Sequence, residues 1–317
     1  MRGSSSHPFP ETFEEFIDWF PTEEACLRYI EWIRWPAGFV CPKCQGGDFW
    51  RTGRGLCHCR TCAHQSSATA GTVFEDSRKP LRVWFHVMWL MMAQKTGVSA
   101  RNMCDMYGFG SYQTAWGWLQ KLRSVMVCAG REQLAGYVEV DETYVGGRKQ
   151  GTRGRGAEGK TLVFVGVEVD GQRLGRVRFR CAPSADSTSA LAFVNDYIAI
   201  GSQIATDGLN IYDGLHAAGF LHDRRVRRAE QTTDEKMLEH VHLVISLLKR
   251  WLTGTYQGAV TPGHLQGYLD EFAFRFNRRL STHRGKLFYR LIQQAVLARP
   301  EPVKKLYSRQ PPHIVCT

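Results

Sequence analysis

The stretch Cys41-Pro-Lys-Cys-Gln-Gly-Gly-Asp-Phe-Trp-Arg-Thr-Gly-Arg-Gly-Leu-Cys-His-Cys-Arg-Thr-Cys62 decides the fold of the first part of the chain. It holds two Cys-x-x-Cys pairs, Cys41/Cys44 and Cys59/Cys62, which fourteen residues separate. Four thiolates in two tight turns are the usual tetrahedral cage for Zn²⁺, whereas Cys57 lies outside this spacing and is expected to be a spare thiol. Because residues 39–75 are turn-rich and too few to bury a core alone, they predict a metal-nucleated hairpin unit, a zinc ribbon.

The composition of the whole chain indicates a folded, basic protein. Its 317 residues allow two or three domains, and 43% hydrophobic with 12% aromatic residues exclude a disordered protein. A formal net charge of +11 favours a polyanionic partner with salt-sensitive binding, although a merely basic enzyme would show the same charge.

Cysteine use and hydropathy indicate the compartment. Six of the ten cysteines are scattered, which fits a reducing cytosol without structural disulfides. Residues 1–16 contain no apolar segment followed by a small-residue cleavage site, so we do not expect secretion. The longest apolar stretch, residues 81–93, is too short to span a bilayer. We therefore expect a cytoplasmic protein with no membrane partner.

Two helical segments flank the ribbon. Residues 1–38 contain an apolar helical pattern with Thr22 as the cap of a second helix. Residues 76–130 contain several short helices with glycine turns, which fit either a helix-turn-helix or a helical linker bundle. In the first interpretation the last helix carries five side chains toward DNA: Gln113, Trp116, Gln120, Lys121 and Arg123.

Strands and helices alternate in the second half of the chain. Valine-rich runs predict strands and amphipathic runs predict helices. The predicted order is strands at 137–144, 162–169 and 175–181, a helix at 184–200, a strand at 203–206, and helices at 234–252, 265–276 and 287–297. This order predicts an α+β fold with a ribonuclease-H-like mixed sheet and flanking helices.

A glycine-rich basic loop is predicted between the first two of these strands. It carries Arg148, Lys149, Arg153 and Arg155. We expect it to contact DNA phosphate, and a plain solvated hairpin loop is the alternative.

Two aspartates are the candidates for chemistry. Asp141 lies in an apolar strand, where an unpaired carboxylate would be costly, and Asp207 ends a second apolar strand. Strand alternation puts Glu139 on the face of Asp141 and Glu142 on the other face. Carboxylates from separate elements can hold the two Mg²⁺ ions used in phosphodiester cleavage, although a single aspartate is more often a cap or turn residue.

The chain resembles the ISXO-type zinc-ribbon insertion-sequence transposases, members of the DDE superfamily, from about Phe39 to Val296. The resemblance rests on ordered signatures: CPKC, CRTC, TAGTVF at 69–74, VEVDETYVGGR at 138–148, the Asp207 strand, SLLKRWLTGTY at 246–256 and YLDEFAFRFNRR at 268–279. It implies a ribonuclease-H-like catalytic domain in which Asp141 and Asp207 are the first two ligands of Mg²⁺ or Mn²⁺.

The third ligand position departs from much of the family. A glutamate or asparagine commonly stands shortly before SLLK, but here His242 does, thirty-five residues after Asp207. Imidazole is a softer donor than carboxylate and suits Mn²⁺ better than Mg²⁺, so His242 is expected to complete the triad, with Glu239 as the alternative acid. Lys249 and Arg250 are expected to contact phosphate, or else to be solvated helix residues.

These observations predict a DNA transposase that cleaves element ends and joins them to target DNA, working as a homo-oligomer on that DNA. The alternative is a catalytically inactive, transposase-derived DNA-binding protein. The predicted segments are 1–38 helical, 39–75 zinc ribbon, 76–130 helix-turn-helix-like, 135–300 catalytic and 301–317 a tail.

Overall fold

The computed structural model describes residues 7–127, 130–146, 160–226, 237–258 and 260–299. The chain forms two compact units. Within the described residues, the first unit comprises 7–126 and 280–299, and the second comprises 127, 130–146, 160–226, 237–258 and 260–279. The helices are α1 Phe13–Trp19, α2 Glu23–Arg34, α3 Leu81–Ala93, α4 Ala100–Tyr107, α5 Tyr112–Ser124, α6 Ser187–Tyr197, α7 Glu239–Tyr256, α8 Pro262–Phe276 and α9 Arg284–Leu297. The strands are β1 Phe49–Arg51, β2 Cys57–Cys59, β3 Gln65–Ser66, β4 Tyr137–Gly146, β5 Lys160–Asp170, β6 Arg173–Ala182, β7 Gln203–Thr206 and β8 Leu221–Arg224.

The first unit combines a small antiparallel sheet, in the order β1-β2-β3, with a helical bundle. Thr22 caps α2 by accepting the Ala25 N–H at 3.2 Å, as predicted. The apolar stretch at 81–93 is a helix whose Trp84, Phe85 and Met88 are buried. None of the described helices is long and apolar enough to cross a membrane.

Helix α9 belongs to the first unit, where it packs against α2 and α3. The sequence predicted that residues 135–300 form one catalytic segment, because α9 follows α8 closely along the chain. Leu287, Phe288 and Leu291 of α9 are fully buried, and the Phe288 ring contacts the Phe85 ring of α3. An amphipathic face shows that a helix packs but not which partner it meets.

The second unit is built on a five-stranded sheet in the order β6-β5-β4-β7-β8. β4, β5 and β6 form an antiparallel meander, while β7 and β8 pair in parallel on the other side of β4. This mixed order, with helices on both faces, confirms the predicted α+β, ribonuclease-H-like fold. β8 and a 3₁₀ helix at Asn210–Leu215 were not predicted.

Apolar alternation on β4 sets what each face of the sheet carries. Val138 and Val140 are buried against Phe193 of α6, whereas Val163 and Val165 of β5 are buried against residues of α7. Side chains that alternate with these two valines along β4 therefore face α7, and these include Glu139 and Asp141.

Candidate functional site

Asp141 lies in the middle of β4 on the face covered by α7. Its side chain is 14% exposed, and Oδ1 accepts the Glu142 N–H at 2.9 Å. Burial raises the pKa of Asp141, and the charge of Asp207 raises it further, while His242 and the Glu142 N–H oppose this. The carboxylate is therefore held in a poorly solvated place next to a second acid, where a cation would stabilise the charged form.

Asp207 lies beside Asp141 because their strands are neighbours. β4 and β7 are parallel, with Glu139 opposite Ala205, and each aspartate comes two residues after its member of that pair. Oδ1 of Asp207 accepts the Leu209 N–H at 3.1 Å, which fixes the carboxylate at the end of β7. The structure thus brings together the two predicted acids.

Glu142 is a third acid at this place. One carboxylate oxygen each from Asp141, Glu142 and Asp207 lies within 4.8 Å of the other two. The Tyr212 hydroxyl donates to Oε2 of Glu142 at 3.0 Å, and burial, followed by the charge of Glu142, raises the pKa of Tyr212. Strand alternation correctly placed Glu142 on the opposite face, but its longer side chain still reaches the cluster. Its position next to Asp141 was the only sequence signal.

His242 contacts the first of these acids from α7. Its Nε2 lies 3.2 Å from Oδ2 of Asp141, and the imidazole is 56% exposed. Among the described residues, the acid group that meets within 4.8 Å consists of Asp141, Glu142 and Asp207, so His242 joins the cluster through Asp141. The imidazole is therefore accessible to solvent.

The start of α7 is held by Glu139, a role that the sequence did not reveal. Leu238, at the N-cap position, has φ 51 and provides no side-chain cap. The buried Glu139 carboxylate accepts the Val241 N–H at 2.9 Å and contacts Nδ1 of His240 at 2.8 Å. A carboxylate on the sheet therefore caps the helix and fixes the turn that carries His242.

The remaining residues predicted for the site lie outside the acid cluster or outside the described residues. Glu239 is exposed at the first residue of α7, and it is not in the acid cluster. Desolvation, followed by the charge of Lys160, lowers the pKa of Lys249, while Asp141 opposes this, so Lys249 lies within electrostatic range of the site. Arg250 is exposed on the same helix. The predicted loop residues Arg148, Lys149, Arg153 and Arg155 lie outside the described residues.

The four cysteines of the ribbon converge. Their sulfurs lie within 4.8 Å of one another, with Cys41 to Cys62 at 3.6 Å and Cys44 to Cys59 at 3.5 Å. A tetrahedral site with metal–sulfur bonds of about 2.3 Å places sulfurs about 3.8 Å apart, so the four residues fit a single metal ion. The Cys62 N–H, together with that of Thr61, lowers the pKa of Cys59 to about 6, which favours a thiolate at that position. The Gly46 N–H lowers the pKa of Cys44, but the neighbouring sulfurs outweigh it and the pKa of Cys44 is raised.

The helical segment corrects one expectation. Gln120 and Arg123 of α5 are 6% and 1% exposed, so these two side chains are part of the first unit's interior and cannot reach DNA. Gln113 is exposed, and Trp116 and Lys121 are half-buried. The prediction for Gln120 and Arg123 was wrong because the buried face of α5 includes these two polar side chains as well as its apolar residues.

Comparison with known proteins agrees with both halves of this description. Residues 21–65 match the family model of the transposase zinc-ribbon domain, and residues 133–277 match that of the ISXO2-like transposase domain. A protein described as an uncharacterized protein in transposable element ISH50 of Halobacterium salinarum is 28% identical over 304 residues, which cover 89% of this chain and 99% of that protein.

Similarity to solved structures is low. The catalytic core domain of BIV integrase matches at 15% identity over 43% of this chain and 81% of that chain, with a TM-score of 0.27. A chain of the simian T-cell lymphotropic virus intasome in complex with PP2A regulatory subunit B56 gamma matches at 13% identity over 61% of this chain and 71% of that chain, with a TM-score of 0.30. The two domain matches show that one chain carries, in this order, a transposase zinc-ribbon domain and an ISXO2-like transposase domain, and the similarity to the protein in transposable element ISH50 agrees with this.

Proposed function

We propose that this chain is an active DNA transposase that binds the ends of its insertion sequence, cleaves a strand there and joins the new end to target DNA. The observation that carries the proposal is the group of Asp141, Glu142 and Asp207, whose oxygens meet within 4.8 Å at neighbouring strands. Three acids this close repel one another unless a cation lies between them, and oxygen donors suit Mg²⁺ and Mn²⁺.

In the proposed reaction each step exchanges one phosphorus–oxygen bond for another. In cleavage, a water oxygen bonds to phosphorus and the 3′-oxygen leaves as a hydroxyl. In joining, that hydroxyl oxygen bonds to a target phosphorus and the target's own 3′-oxygen leaves. Asp141 and Asp207 would hold the divalent ions, with His242 as the third ligand and Glu142 as a neighbouring acid. Such ions, when bound, polarise phosphoryl oxygens and lower the pKa of water.

In this function, other parts of the chain bind the DNA. Lys249 and Arg250 on α7, and the loop residues Arg148, Lys149, Arg153 and Arg155, contact phosphates, and the net charge of +11 supports this. The ribbon and the helices of residues 76–130 bind the element ends, with Zn²⁺ as the metal of the four cysteines. The protein acts in the cytoplasm on DNA of the cell, as a homo-oligomer on the paired ends.

The test is a cleavage and joining assay with the full chain and linear DNA that carries the terminal inverted repeats of its element. We expect nicked ends and joined products with Mg²⁺ or Mn²⁺, tried separately, and none with a chelator. A chain that binds these ends but yields no cleaved product with either ion would instead be a non-catalytic DNA-binding protein.

A further inference from the structure

Three side chains that can ligate a metal ion, His7, Glu11 and His283, meet in the first unit as a group distinct from the four ribbon cysteines. Nε2 of His7 lies 3.4 Å from Oε1 of Glu11, and Nδ1 of His283 lies 3.3 Å from Oε2 of Glu11. One donor atom from each residue lies within 4.8 Å of the other two, and all three residues are half-buried. The transposase chemistry proposed above does not use them.

The backbone on both sides of this cluster is held in place. A Cβ added at Gly285 would lie 1.5 Å from the carbonyl oxygen of Pro10, so the N-terminal segment lies directly against the first turn of α9. The Tyr29 hydroxyl donates to the Pro8 carbonyl at 2.7 Å, and the Glu11 N–H donates to Oε2 of Glu15 at 2.7 Å. These contacts hold the backbone around His7, Glu11 and His283 in place, so the fold itself keeps the three side chains close together.

The imidazole of His283 is directed to this cluster and not to its own helix. His283 stands at the N-cap position of α9 but makes no side-chain cap hydrogen bond. Its ring contacts that of His7 edge-on, with the centroids 5.8 Å apart. Two imidazoles thus approach the two oxygens of one carboxylate.

The distances match metal ligands better than simple hydrogen bonds. An N–H···O bond usually spans about 2.7–3.2 Å between its heavy atoms. Neighbouring ligands of a tetrahedral ion with bonds of about 2.1 Å are about 3.4 Å apart. The observed separations, 3.4 Å from Nε2 of His7 to Oε1 of Glu11 and 3.3 Å from Nδ1 of His283 to Oε2, lie near the second value.

We propose that His7, Glu11 and His283 bind one divalent transition-metal ion of the Zn²⁺ class, which ties the N-terminal segment to the start of α9. Two nitrogens and a carboxylate are a ligand set that Zn²⁺ accepts, and the partly exposed position leaves room for water as the fourth ligand. This site is separate from the four cysteines and does not depend on the proposed catalytic activity.

The probe is Zn²⁺ itself, measured by equilibrium dialysis and metal analysis on the folded full chain. We expect His7→Ala and His283→Ala each to bind one zinc equivalent per chain fewer than the parent. His216→Ala, which removes an exposed histidine of the second unit, is the matched control and should keep the parental number. His283→Cys should also keep it, because a thiolate is a zinc ligand.

Thermal unfolding separates metal binding from packing. Zn²⁺ binding to the native state should raise the parent's midpoint as free zinc increases, by more than it raises that of His283→Ala. The proposal is overturned if both alanine variants bind as much zinc as the parent. It is equally overturned if His283→Cys, with a parental circular dichroism spectrum, loses the same equivalent as His283→Ala, because the ring would then serve packing alone.

Discussion

Nε2 of His242 lies 3.2 Å from Oδ2 of Asp141, although the two residues are on different elements, α7 and β4. The contact places an exposed imidazole at one of the two predicted acids, whose own side chain is 14% exposed. Because Asp207 lies on the next strand, a group held by both aspartates would have His242 at its side.

His242→Ala should therefore lower strand cleavage by about 10²–10⁴-fold, the range of a lost acid–base or orienting group, and His242→Glu should recover activity with Mg²⁺. Glu239→Ala, one helical turn earlier and exposed, is the matched control and should cleave like the parent. Normal cleavage by His242→Ala together with a dead Glu239→Ala would show that Glu239 is the third group. A dead Glu142→Gln with a normal His242→Ala would assign that role to Glu142.

Glu139 is predicted to position His242 through the start of α7. Glu139→Ala leaves the buried Val241 N–H without its acceptor, so we expect a loss of about 1–3 kcal/mol in the free energy of unfolding and slower cleavage. Glu139→Gln keeps an acceptor oxygen and should lose less of both. Chemical denaturation and the cleavage assay measure the two effects, and an unchanged stability of Glu139→Ala would contradict the capping role.

The ribbon should lose its metal when a ligand is removed and keep it when Cys57 is changed. Cys57 is 1% exposed and burial raises the pKa of its thiol, but it is not among the four sulfurs that converge. Metal analysis should find one zinc equivalent fewer in Cys44→Ser than in the parent, and no loss in Cys57→Ser. Parental zinc in Cys44→Ser would refute the assignment.

Glu168 should make the second unit sensitive to acid. Burial alone would raise the pKa of Glu168, but the Arg176 guanidinium and the N–H groups of Ala135 and Arg176 lower it from 4.5 to about 2. The folded state thus favours the charged form, so this stabilisation is complete above about pH 4.5 and is lost as the pH falls toward 2. The difference in unfolding free energy between the parent and Glu168→Gln should shrink over that window. Glu132→Gln, which changes an 88% exposed partner of the same arginine, should matter little at any pH. A constant Glu168→Gln difference from pH 5 to 3 would contradict the shift.

Local patterns in the sequence predicted most of the secondary structure. The apolar stripe at 81–93 gave the bounds of α3, and valine-rich runs between glycines gave the meander and β7. β8, Leu221–Arg224, escaped prediction because it is a short polar edge strand with no alternation of buried and exposed residues.

Features that depend on distant parts of the chain could not be predicted. The helix predicted from Asp234 is described from Glu239, where the carboxylate of Glu139 caps it, a hundred residues earlier in the chain. Glu142 joins the acids through the reach of its side chain and through Tyr212, which lies in an unpredicted 3₁₀ helix. The aspartates were predictable because each lies in, or directly follows, an apolar strand.

The most direct test of the central claim is cleavage of element-end DNA by the full chain carrying Asp207→Asn or Asp141→Asn, with binding to the same DNA measured in parallel. Asp170→Asn, at the exposed end of β5, is the control and should cleave normally. If the two acids hold the catalytic ions, each variant should lose cleavage by several orders of magnitude, roughly 10³-fold or more, and still bind the ends. Cleavage at the parental rate by Asp207→Asn would contradict the account.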